Sequence, residues 1–220
     1  MHDRVRIKIC GITNLKDAMA AAELGVDALG FVRAPSPRQI PVDLMRAISR
    51  RLPASVVKVG VFVDAHLDDI LKEADQGELD VVQLHGQESP EIAQACVSRG
   101  LRVIKAFRVR GTDILRDVQR YVDCQVTAFL LDAYVPGRAG GTGQVFDWQI
   151  ARHVARRYRT ILAGGLHPGN VQAALSAAAP WGVDVSSGVE SRPGYKCPDL
   201  MARFVRQIRA QTKERSVNNA

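Results

Sequence analysis

Long hydrophobic runs are absent from this chain. No apolar stretch reaches the roughly 18 residues that a membrane span needs. The opening MHDRVRIKIC has no apolar core of a secretory signal. No membrane partner is expected, and a cytoplasmic protein is. Cysteine is sparse and scattered: Cys10, Cys96, Cys124 and Cys197 form no C-x-x-C, and none pairs with a histidine at zinc-finger spacing. That removes support for a disulfide framework or a metal site. Aromatic residues make up only 5% of the chain, poor material for stacking bases. The net charge of +7 is dispersed over helical stretches such as RHVARRYR and RFVRQIRAQTKER. Nucleic acid is therefore not the expected partner, whereas a small anionic substrate would benefit from the same field. The glycine-rich PGRAGGTGQVFDW contains no dinucleotide-type G-x-G-x-x-G and no G-K-[ST] of a P-loop. No cofactor is expected, and the stretch over 135–144 reads either as a mobile lid or as a disordered connector.

What the chain does have is alternation. Short β-branched runs recur: VRIKIC, DALGFV, VVKVGVFV, DVVQLH, RVIKAF, TAFLLD, RTILAG and GVDVSS. Their few polar interruptions suit parallel strands buried on both faces. Helical patterns separate them. One starts at a capping Asn14, one has Pro41 in its first turn, and others start at Ser89-Pro90 and Asp147. The last, PDLMARFVRQIRAQ, carries an apolar stripe. Eight strand–helix units in 220 residues predict a single-domain α/β (β/α)8 barrel over 1–220. A frayed tail is expected at 212–220, and the assembly is expected to be a monomer or homodimer. An open doubly wound sheet is the structural rival.

In a barrel of this kind, chemistry collects where strands end. Those positions hold Cys10, then Arg33 and Arg38, Asp64, His85, Arg108, Asp132, Gly164 with Gly165, and Ser186 to Gly188. Gly164 and Gly165 let backbone N–H groups approach a ligand without Cβ interference. With Ser187 and Gly188 after the eighth strand, they form the loop pair that commonly holds a phosphate. Cys10 and Asp132 can serve as base and acid. Lys8, two residues before Cys10 and on its side of the strand, would favour the thiolate. The residues alone leave Cys10 open to a second reading as small buried filler, and Asp132 as a cap.

The ordered segments KICGITN, GFV with SPRQI, VGVFV, VQLHG, LLD, GGTGQVFDW, AGGLHPGNV and DVSSGVES resemble the phosphoribosylanthranilate isomerases of tryptophan biosynthesis over roughly residues 5 to 208. The resemblance implies an Amadori rearrangement without metal or redox cofactor. It assigns Asp132 as general acid and Cys10 as general base, with Gly11 leaving room beside the thiol. Arg38 would take the anthranilate carboxylate. Gly164, Gly165, Ser187 and Gly188 would hold the phosphate, and Asp184 and His85 would face the substrate. Arg33 and Ala34 stand where that family commonly has an aromatic and a tyrosine-like residue, and Ala163 where it commonly has serine. The histidine-pathway isomerase that runs the same chemistry uses an aspartate where this chain has Cys10. A non-catalytic phosphate-binding barrel would need the glycines but not the acid and base.

Overall fold

The computed structural model describes residues 4–109, 111, 113–133 and 147–217, the stretch 212–217 in backbone only. The stretch at 135–144, read as lid or connector, lies outside the described residues. Eight parallel strands close into a barrel in sequence order: β1 (Arg6–Cys10), β2 (Ala28–Val32), β3 (Val57–Phe62), β4 (Val81–Leu84), β5 (Arg102–Val109), β6 (Ala128–Ala133), β7 (Thr160–Leu162) and β8 (Gly182–Val185). Strand β8 pairs back onto β1, with Lys8 opposite Asp184. This is the (β/α)8 architecture expected, not an open sheet.

Period-two alternation sorts each strand between two cores. Ile7 and Ile9, Leu29 and Phe31, Phe129 and Leu131, and Val183 and Val185 face outward and pack under the helices. Val59, Val81, Ile104, Ala106, Ala128, Leu130, Ile161 and Ala163 fill the barrel interior. The opposite parity therefore turns Lys8, Cys10, Asp132 and Asp184 inward.

The helices are α1 (Leu15–Glu23), α2 (Val42–Ser49), α3 (Leu67–Gln76), α4 (Pro90–Ser98), α5 (Ile114–Gln119), α6 (Trp148–Ala155), α7 (Val171–Ala178) and α8 (Pro198–Val217). Asn14 caps α1 by accepting from Asp17 N at 2.9 Å, and Asp147 caps α6 through Gln149 N. Pro41 sits one residue earlier than expected: it is the N-cap of α2, with extended backbone and its carbonyl accepting from Met45 N. The backbone of α8 runs to Val217, into the stretch expected to fray. Two short strands were not anticipated. After a 3-10 turn at Ser187–Val189, β9 (Glu190–Arg192) and β10 (Tyr195–Lys196) form an antiparallel hairpin before α8.

Candidate active site

The carboxyl ends of the strands surround a cavity of about 150 Å³. Cys10, Arg38, His85, Arg108, Asp132, Gly164, Gly165, Asp184 and Ser187 all line it. Residues spread over the chain thus converge on one mouth.

Cys10 ends β1 opposite Gly30 of β2. A Cβ on Gly30 would lie 2.7 Å from Cys10 Sγ, so it is Gly30 that clears space for the sulfur. Gly11 makes room for Arg38. Its φ of +77° favours glycine, and a Cβ there would lie 2.6 Å from Arg38 Cδ. The bare backbone at Gly11 thus leaves room for the arginine stem.

Below the thiol, Lys8 Nζ donates to Asp184 Oδ2 at 2.8 Å, both side chains buried. Burial works against the Lys8 ammonium, but Asp184 and Cys10 outweigh it and hold the lysine above its usual range. Lys8 favours the Cys10 thiolate, as expected, but it is not the largest influence. Burial pushes the thiol above its ordinary range, and the pull of Lys8 does not offset it. Asp184 keeps its second oxygen, Oδ1, buried without a hydrogen-bond partner among the described residues.

Asp132, the last residue but one of β6, lies opposite Arg108 of β5. His85 stands across the mouth. Gln83 Nε2 donates to His85 Nδ1 at 2.9 Å. With the amide in that orientation a neutral ring carries its proton on Nε2, which is 3.3 Å from Asp132 Oδ2. Arg108 lines the same cavity, with its Nε buried and unpartnered among the described residues.

The phosphate-type loops meet at this mouth. Gly164 and Gly165 both have left-handed backbone, φ +83° and +64°. Among the described residues neither N–H has an acceptor. Asn170 Nδ2 ties the loop by donating to Gly165 O at 2.9 Å. Ser187 opens the 3-10 turn that follows β8 and lines the cavity. Gly188 is packed underneath: a Cβ there would lie 1.9 Å from Leu166 O. Its bare backbone lets the β7 and β8 loops touch.

Arg38 reaches the mouth but is not free. Its Nε and Nη2 donate to Glu190 Oε1 and Oε2 at 2.8 and 2.7 Å. Lys196 Nζ donates to the same Glu190 at 2.8 Å. Burial alone would raise the Glu190 carboxyl, but Arg38 and Lys196 reverse that and hold it below its usual range. Arg33 and Asp64 do not join the site. Arg33 turns to α3, where Nε and Nη2 bind Glu73 at 2.7 and 3.0 Å, and Nη1 meets the Ile40 carbonyl. Asp64 braces a loop, with its N–H on Glu88 and its Oδ1 accepting from Gln87 N.

A family model described as N-(5'-phosphoribosyl)anthranilate (PRA) isomerase matches residues 7–207. The chain belongs to the phosphoribosylanthranilate isomerase family. An N-(5'-phosphoribosyl)anthranilate isomerase from Geobacter sp. (strain M21) is 49% identical over 205 residues, which is 93% of this chain and 98% of that protein. The crystal structure of phosphoribosyl anthranilate isomerase from Thermotoga maritima superposes with a TM-score of 0.85 at 41% identity, covering 94% of this chain and 99% of that one. A phosphoribosyl anthranilate isomerase in complex with reduced 1-(o-carboxyphenylamino)-1-deoxyribulose 5-phosphate gives 0.81 at 40% identity, covering 94% and 99%. Of the two departures from the isomerase pattern that line the cavity, Ala34 and Ala163 are both buried, small and apolar.

Sequence reasoning passed over Glu190 and Lys196 as site residues. Their signal was present, in DVSSGVES and the following PGYK. Nothing local to those stretches revealed that both would meet Arg38.

Proposed function

We propose that the mouth performs the isomerase family's Amadori rearrangement with Asp132 as general acid and Cys10 as general base. The substrate is N-(5-phosphoribosyl)anthranilate, and the product is 1-(2-carboxyphenylamino)-1-deoxyribulose 5-phosphate. Asp132 gives a proton to the furanose ring oxygen. The C1′–O bond breaks, and the anilino nitrogen supplies the electron pair for a protonated Schiff base. Cys10, as thiolate, takes the C2′ proton, and the electrons move toward nitrogen to give an enolamine. Protonation at C1′ and loss of the 2′-hydroxyl proton complete the ketone. The thiol's raised pKa makes its thiolate the stronger base, though a rarer one at neutral pH.

His85 keeps a donor on Asp132, which steadies the carboxylate formed after ring opening. Asp184, with one oxygen on Lys8 and one bare, suits the substrate's amino–ribose region. Arg38 takes the anthranilate carboxylate through the guanidinium edge that Glu190 does not use. The Gly164 and Gly165 N–H groups, with Ser187 and the turn supported by Gly188, seat the phosphate.

The observation that carries this reading is the convergence of Cys10 and Asp132 on one cavity that also holds the glycine loops. Decay of the anthranilate substrate's fluorescence on adding the protein tests it. No decay, under conditions where the chain is folded, rejects it.

A further inference from the structure

We propose that Glu190 and Lys196 are positioning residues that hold Arg38 in place and keep it net cationic toward the substrate carboxylate. This rests on the assignment of Arg38 to that carboxylate.

The bond pattern raises a problem of charge. Glu190 takes two parallel bonds from the Arg38 guanidinium. Such a fork fixes the guanidinium plane. It also cancels the arginine's charge, and a second carboxylate would then approach a neutral pair. Lys196 resolves this. Its Nζ donates to Glu190 Oε1 at 2.8 Å and to the Ser186 carbonyl at 3.2 Å. Two cations and one anion leave one positive charge for the ligand. The count matters because water is nearly excluded: the side chains of Arg38, Glu190 and Lys196 are 16%, 4% and 0% exposed. Charges shielded from water act at lower effective dielectric than surface pairs.

The hairpin is fastened so as to present both groups. Lys196 N donates to Asp17 Oδ2 of α1 at 2.7 Å. Thr13 Oγ1 donates to Gly194 O at the hairpin's turn. Gly194 N donates in turn to Glu190 Oε1 at 3.3 Å. Both outer fastenings belong to the segment that follows Cys10. The arginine stem crosses Gly11, the residue after the base. The carboxylate seat is thereby tied to the backbone that carries the thiol. A ligand held at Arg38 is held at a fixed distance from Cys10, which is what proton abstraction at C2′ requires.

The test compares two ligands by titration calorimetry: the reduced carboxyphenylamino-deoxyribulose phosphate and its phenylamino analogue lacking the ring carboxylate. In wild type the carboxylate-bearing ligand should bind more tightly, and Arg38→Ala should erase that preference. Lys196→Met should weaken the carboxylate-bearing ligand by ~10-fold, the scale of a lost charge in a partly buried pair, and the analogue by less than ~2-fold. The analogue's binding also reports that the variant is folded. Combining Lys196→Met with Glu190→Gln restores one net positive charge and should recover part of the loss, since the amide keeps only one acceptor for the Arg38 fork. Equal weakening of both ligands, no weakening, or no recovery in the double variant overturns the inference while leaving the Arg38 assignment intact. If Arg38→Ala still prefers the carboxylate-bearing ligand, the assignment itself falls, and the inference with it.

Discussion

Gly30 and Cys10 face one another across the β1–β2 pairing, and one added carbon on Gly30 would stand 2.7 Å from the sulfur. The same carbon would lie 3.1 Å from Cys10 Cα and from Lys8 Cε. Gly30→Ala therefore has to move the thiol. Turnover should fall by ~10²-fold, as expected when a reacting group shifts by about 1 Å. Overpacking should also cost about 1–3 kcal/mol of stability. Steady-state kinetics with a urea titration checks both, and wild-type kcat would show that the sulfur's placement is not set by Gly30.

Cys10→Ala and Asp132→Asn remove the proposed base and the proposed acid without introducing bulk. Each should lower kcat by at least ~10²-fold, the weight of one general acid or base. Turnover near normal in either variant would end that residue's assignment. The two carboxylates deserve contrast: Asp184→Asn also disturbs Lys8, so it should lower stability as well as turnover.

Reactivity of the thiol should follow pH in a defined direction. Because burial raises its pKa, alkylation of Cys10 by iodoacetamide, followed by peptide mass spectrometry, should climb with pH around a midpoint above the ordinary thiol value of about 8.5. Lys8→Met removes a nearby cation and leaves Asp184 uncompensated, so the midpoint should move higher still. A midpoint at or below the ordinary value would mean that the thiolate is stabilised after all. The acid limb of kcat/KM should shift in the same sense.

Beside the mouth lies a buried pair that the chemistry does not use. Lys105 Nζ binds Glu88 Oε2 at 2.7 Å and the Gly86 carbonyl at 2.8 Å, both side chains 2% exposed. Glu88 also accepts from the N–H groups of Gly86 and Asp64. Glu88→Ala would leave the ammonium and these N–H groups unpaired, with an expected loss of about 3–5 kcal/mol. Guanidinium unfolding would measure it, and a change below ~1 kcal/mol would contradict the accounting.

Much of this fold can be read from the chain because the barrel repeats two simple periods. Apolar runs at strand length and stripes at helix length place all eight units. Strand parity then puts Cys10, Asp132 and Asp184 on the inner side. What could not be read depends on contacts between distant segments. Lys8 meets Asp184 across 176 positions, and Arg38 meets Glu190 across 152. Arg33 looked like a site residue because it follows β2, but Glu73 on α3 supplies a nearer carboxylate. The β9–β10 hairpin was hidden because SRPGYK reads as a turn and its strands are too short to carry a period. Gly11 and Gly30 look alike in sequence, and only the neighbouring side chains reveal that Gly30 faces the sulfur and Gly11 the arginine stem.

The pairing of β8 with β1 has a temporal consequence. During synthesis Cys10, Asp132 and Arg38 emerge with the first six strands, whereas the glycine loops, Asp184, Glu190 and Lys196 arrive last. Until β8 zips onto β1, Lys8 has no counterion, Arg38 has no partner for its fork, and the phosphate has half a seat. Closure of the ring by β8 and completion of the cluster around Arg38 thus fall to the same last stretch of chain.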